Sequence, residues 1–165
     1  LAALKQRFEE CSLELHPDKT GIVYCKDVNR KEEHLGTNTN TSQIGQTFTT
    51  AAADYNGTNA NNKIVWTAGP DGGFIRALRF KALGSNVQTV ARIYLNNGGV
   101  ATTGANNSPI DEITLLVTTA SANLGMPSVD CILNIPIPAN NRILVGLGTT
   151  VAAGWVCTPI GAGNY

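Results

Sequence analysis

The stretch FIRALRF, residues 74–80, decides how the chain is read. Strict alternation places Phe74, Leu78 and Phe80 on one side of an extended backbone, and Ile75, Ala77 and Arg79 on the other. One side can therefore pack a core while the other meets solvent, which predicts a half-buried β-strand. Similar runs follow on both sides: KIVWT (63–67), TVARIYL (89–95), ITLLVTT (113–119), CILNIPI (131–137), RILVGLGTT (142–150) and GWVCTPI (154–160). Between them stand the turn-forming clusters AGPDGG (68–73), LNNGG (95–99), GANNSP (104–109) and IPANN (137–141). Short strands with frequent turn signals predict a mainly all-β domain over residues 63–165, a seven- to eight-stranded β-sandwich or jelly roll. Residues 35–62 are poor in large apolar side chains and rich in Asn, Thr and Ala, and read as an extended arm or linker with one strand around Gln46 to Ala51.

Composition bounds what such a domain can do. At 165 residues there is room for one sizeable core. Twelve basic side chains balance twelve acidic ones, with a pI near 6.9, so no global field draws the chain to nucleic acid or anionic lipid. No apolar run reaches the roughly 18 residues of a membrane helix, and no basic-then-apolar leader with a small-residue cleavage site is legible. The chain begins at Leu1 rather than Met, as a fragment or a processed product would. Cys11, Cys25, Cys131 and Cys157 include no CxxC pair, so buried thiols are expected rather than a disulfide framework or a zinc knuckle. Cys11, His16, Cys25 and His34 match a zinc ligand set in kind, but the Cys11 to Cys25 gap lacks the tight pairing of such sites. No metal or cofactor is expected.

The charge is not evenly spread. Of the 24 charged side chains, 13 lie in residues 1–34. There Leu1, Leu4, Phe8, Cys11 and Leu15 recur at helical steps, Pro17 ends the helix, PDKTG supplies a turn and IVYC a short strand. A helix-turn-strand unit of this size cannot bury its own apolar stripe.

The segment RFEECSLELHPDKTGIVYCKDVNRK, residues 7–31, resembles group II intron reverse transcriptase/maturases over about residues 1–33. In that family the block follows the strand-turn-strand that carries the catalytic aspartates, and that catalytic block is missing here. Polymerase chemistry needs two metal ions held by paired carboxylates. Asp18 and Asp27 do not stand in such a pair. Lys19 matches the lysine of the family's HPDKT turn, near its nucleotide site, and HLGTNT (34–39) departs from the family's continuation. If the chain's function follows this fragment, Lys19, Lys26, Arg30 and Lys31 are the phosphate contacts of an RNA-binding surface.

IRALRFKALGSNVQTVARIYLNNGG (75–99), DEITLL (111–116) and LVGLGTTVAAGWVCTPIGAGNY (144–165) are similar to small structural proteins of tailed phages, such as capsid decoration proteins, over about residues 60–165. That resemblance implies a β-sandwich on a virion surface, found in the virion or the bacterial host cytoplasm. The expected partners are the chain itself, in a homo-oligomer with a trimer as the first expectation, and a capsid shell protein; the balanced charge argues against nucleic acid. Few charges among Asn, Thr, Gly and Ala suit packed protein contacts, where lone charges are costly to desolvate. Residues 35–165 hold no histidine and no GxSxG or phosphate loop. Asp111 and Glu112 are adjacent, so on a strand they face opposite ways, which does not suit a paired acid and base. The expectation is a non-enzymatic structural protein. A glycan-binding sandwich is the third reading, with Trp66, Tyr94 and Trp155, and also Tyr55, as interface or stacking residues.

Overall fold

The computed structural model describes residues 45–165. In chain order the strands are β1 (Gln46–Phe48), β2 (Lys63–Thr67), β3 (Gly73–Ala82), β4 (Thr89–Asn96), β5 (Asn107–Leu115), β6 (Ser128–Ile137), β7 (Arg142–Leu147), β8 (Trp155–Ile160) and β9 (Gly163–Asn164). They form two antiparallel sheets. Sheet one has the order β1-β8-β3-β6, with β9 beside the start of β3, and sheet two has the order β2-β7-β4-β5. The pairs β1–β8, β2–β7, β3–β6 and β4–β5 are those of one long hairpin, rolled so that strands alternate between sheets. This is the eight-stranded jelly roll arrangement expected from the sequence, with β9 added. Phe48, Ile75, Leu78, Phe80 and Cys157 from sheet one meet Val65, Ile93, Leu115, Ile143, Val145 and Leu147 from sheet two in one core.

The turn residues act as their chemistry dictates. The Gly72 N–H donates to the Gly69 carbonyl at 3.0 Å, closing a turn with Pro70 second in it, where its fixed φ is preorganised. Gly72 itself takes φ +95, open to glycine and strained for other residues. In PANN the Asn141 N–H donates to the Pro138 carbonyl at 3.1 Å while Asn140 takes φ 60.

Two sequence expectations change. In FIRALRF, Leu78 and Phe80 do face the core, but Ile75 joins them and Phe74 is only partly buried. The cause is a register shift between Ile75 and Ala77, where the single residue Arg76 lies opposite two residues of β6, Leu133 and Asn134, and the alternation of β3 is inverted before it. The strand expected at 113–119 runs instead over Asn107–Leu115, because Asn107 pairs with Asn96 at the end of β4. Leu116 and Val117 fall beyond it and stand exposed.

Residues 49–62, expected within an arm, cross the outer face of sheet two as a strap. Ala52 N–H donates to the Leu147 carbonyl at 2.6 Å, and Tyr94 Oη donates to the Asp54 carbonyl at 3.0 Å. Beneath the strap lie Tyr94, Asn96 and Leu144, all buried. Gly146 has no side chain because the strap passes there: a methyl would overlap the Asn62 amide oxygen. The helix-turn-strand of residues 1–34 and the start of the expected arm lie outside the described residues. Among the described residues no helix is long and apolar enough to cross a membrane.

Candidate functional site

Where the strap leaves sheet two, an open pocket of about 260 Å³ is lined by Tyr55, Arg92, Tyr94, Pro109, Ile110, Asp111 and Glu112. Its floor is Arg92, a charged residue only 9 % exposed in the middle of β4. A guanidinium there needs partners. Arg92 Nε donates to Glu112 Oε1 at 2.9 Å across the β4–β5 ladder, and Arg92 NH1 donates to the Ala52 carbonyl at 3.3 Å. The Tyr55 ring, 64 % exposed, lies over the guanidinium at 3.9 Å from its centroid. Burial opposes the Arg92 charge, but Tyr55 and Glu112 more than offset it and hold its pKa above the ordinary arginine value. The strap end is pinned by Asp54, whose Oδ2 accepts from the Thr58 N–H at 2.6 Å and from the Thr58 hydroxyl. Desolvation works against the Asp54 carboxylate, and those two donors outweigh it, so its pKa falls below the usual range.

The wall of the pocket is a modified edge strand. β5 carries Pro109, a register shift opposite Ile93/Tyr94, and the charges of Asp111 and Glu112. These features block a further strand from pairing there. Ligands or partners must therefore be met by side chains. Asp111 Oδ2 also accepts from the Cys131 thiol at 3.1 Å, tying β5 to β6 across the open side of the sandwich.

The aromatic residues expected as a stacking surface divide sharply. Trp66, Trp155 and Tyr94 are each 1 % exposed, so none can stack on a glycan or a partner. They are core residues, since a large apolar ring in a short strand is best buried between sheets or under the strap. Only Tyr55 keeps an accessible ring. Arg92 escaped the sequence reading. Its signal was a lone charge inside the apolar run TVARIYL, which requires a partner that sequence spacing does not name. Lys19, Lys26, Arg30 and Lys31 lie outside the described residues.

Nucleophile chemistry is poorly served here. Burial, then the neighbouring Asp111 carboxylate, push the Cys131 thiol up to about 12, and burial pushes Cys157 higher still. Thiolate is the reactive form. At pH 8 Cys131 and Cys157 are expected to resist a disulfide-exchange reagent in the folded protein and to react at once in denaturant; fast modification of either in the native chain, located by peptide mapping, would contradict their burial. Among the described residues no group of three or more His, Cys, Asp or Glu side chains could hold a metal ion.

The opposite side of the molecule differs. The outer face of sheet one carries Arg76, Arg79 and Lys81 on β3 and Asp130 and Ile132 on β6, and no described strap crosses it. Ile132 is 56 % exposed. Arg79 forms a two-pronged ion pair with Asp130, Nε to Oδ1 and NH2 to Oδ2, both at 2.7 Å. At the adjoining end, Val87 and Val117 lie in segments joined by the Asn86–Thr118 bridge, and with Leu116 and Leu124 they add further exposed apolar groups. No family model matches the chain, and no curated protein or solved structure matches it either.

Proposed function

We propose that the chain is a non-enzymatic structural protein that associates with copies of itself, as a component of a phage virion of the capsid decoration kind. The observation that carries this reading is the unequal cover on the two sheets. Sheet two is crossed by the chain's own strap, whereas sheet one presents Ile132 beside three basic side chains with no described segment over it. An exposed apolar group ringed by polar ones suits a partner protein, and the apolar loop end next to it enlarges that surface. The jelly roll supports the reading only by analogy, since viral capsid domains share it with lectins.

Light scattering after size exclusion on the full chain tests this directly. The expected result is a defined oligomer rather than the 17.4 kDa monomer. Ile132→Lys keeps an exposed position exposed and is expected to weaken assembly roughly tenfold or more, the effect of one desolvated charge in a contact. A wild-type monomer at every concentration up to the solubility limit would sink the reading.

A further inference from the structure

We infer that the pocket beside Tyr55 is a binding site for a neutral pyranose, with Tyr55 as the stacking residue and Glu112 as the acceptor of the sugar's hydroxyl groups. This goes beyond self-association and does not depend on it. Charge narrows the ligand first. Asp111 turns its carboxylate to the Cys131 thiol, and Glu112 is paired with Arg92, so the charges within the pocket cancel. A phosphate or carboxylate would find no unpaired cation there, and an ammonium or guanidinium no unpaired carboxylate. A neutral ligand meets neither cost.

Shape and chemistry narrow it further. Tyr55 gives one face of its ring to the Arg92 guanidinium and stays 64 % exposed, so the rest of the ring is open to the C–H face of a sugar. Pro109 and Ile110 supply an apolar wall beside it. Glu112 is nearly half exposed; its Oε1 accepts from Arg92, and its Oε2 accepts no hydrogen bond among the described residues. A carboxylate oxygen held in place by an ion pair is a directed acceptor for a hydroxyl. The site is set before any ligand arrives: Glu112 and the Ala52 carbonyl hold Arg92, and Asp54 pins the strap next to Tyr55. An extended peptide gains nothing from β5, whose Pro109 and register shift block a further strand. At about 260 Å³ the pocket is smaller than those of drug-sized ligands, roughly 300–1,000 Å³, and seats a single ring. An apolar face with hydroxyl donors around its rim is the form of a pyranose.

Titration of the full chain, isotope-labelled at tyrosine, with methyl glucoside, methyl galactoside and methyl mannoside tests this. At least one is expected to shift the Tyr55 ring resonances with a Kd on the order of 1 mM, the affinity of a ligand of about a dozen non-hydrogen atoms at ordinary efficiency. Saturation transfer from protein to sugar follows the variants. Tyr55→Ala and Glu112→Gln are each expected to weaken binding roughly tenfold or more. Tyr55→Phe keeps the ring and is expected to bind nearly as well as the wild type, which separates stacking from any loosening of the strap by Tyr55→Ala. Ile132→Lys, on the other sheet, is expected to bind unchanged, and methyl glucuronide, an anionic sugar, is expected not to bind. Unchanged near-ultraviolet circular dichroism confirms that each variant is folded. No shift with any of the three neutral sugars, full binding by Tyr55→Ala, or tighter binding of the anionic sugar would overturn the inference. Adenosine shifting the ring more strongly than any sugar would assign the pocket to a flat base instead. None of these outcomes touches self-association, which the mass in solution decides separately.

Discussion

Replacing Trp155 by alanine is expected to cost about 4 kcal/mol of stability, the middle of the range for emptying a large aromatic site in a core. Trp155 opens β8, pairs with Phe48 of β1 on one side and Ala82 of β3 on the other, and is 1 % exposed. Its indole N–H has no hydrogen-bond partner among the described residues, so packing alone holds the ring. Two consequences follow. Trp155→Phe, which refills most of the volume, is expected to cost less than half as much, because no hydrogen bond is lost with the nitrogen. The three-residue β1, whose Phe48 is buried beside it, is expected to detach first as the site collapses. Urea unfolding followed by circular dichroism measures the cost, and amide exchange across Gln46–Phe48 reports the detachment. A loss under about 1 kcal/mol would place Trp155 at the surface and restore its reading as a stacking residue.

The second large effect is expected at a polar position. Asn86, 4 % exposed, ties three loops at one end of the sandwich. Its Nδ2 donates to the carbonyls of Gly84 at 3.2 Å and Gly154 at 3.0 Å. Its Oδ1 accepts from the N–H groups of Ala153 at 2.9 Å and Gly154 at 2.8 Å. Its backbone exchanges hydrogen bonds with Thr118, whose hydroxyl donates to Gly84 at 2.7 Å. Asn86→Ala strands donors and acceptors in a buried place, and each such group costs about 1–3 kcal/mol. Relaxation and water recover part of this, so a net loss of about 3 kcal/mol and a melting temperature lower by roughly 10 °C are expected. Asn86→Asp keeps the acceptor but loses the two donors and buries a charge, and is expected to be no better than alanine at neutral pH and to recover as the pH falls and the carboxyl protonates. A calorimetric scan of the three proteins decides it. An alanine variant within about 0.5 kcal/mol of wild type would mean that the loops are held by packing instead.

Asn86 also bears on how the composition should be read. The richness in Asn, Thr, Gly and Ala suggested surfaces made for repeated protein contacts. Much of that asparagine is spent inside the chain. Asn107 Nδ2 donates to the carbonyls of Gly57 at 2.9 Å and Ala101 at 2.6 Å, and its Oδ1 accepts from Asn96 Nδ2 at 2.8 Å. A short amide that both donates and accepts can satisfy loop backbone that no ladder reaches. Composition alone does not distinguish an amide turned inward from one offered to a partner.

What the sequence determined by itself was local. Alternation and β-rich runs located β2 at Lys63–Thr67 and placed β3, β4, β6, β7 and β8 within a few residues of their observed ends, because period-two patterning and turn chemistry are written in neighbouring residues. The two-sheet, all-β class followed from the same signals. Only the tertiary structure decided the rest. The register shift opposite Arg76 exchanges Phe74 for Ile75 in the core, since one extra residue in β6 puts the two ends of β3 on opposite alternation. Burial of Trp66 and Trp155, and exposure of Tyr55, depend on which surface the strap covers. The pocket joins Tyr55, Arg92 and Glu112 from three separate stretches, and a pairing such as Arg92 with Glu112 exists only once β4 and β5 lie side by side. Strand identity is a property of a few consecutive residues, whereas a site is a property of strands brought together by a roll that no short stretch encodes.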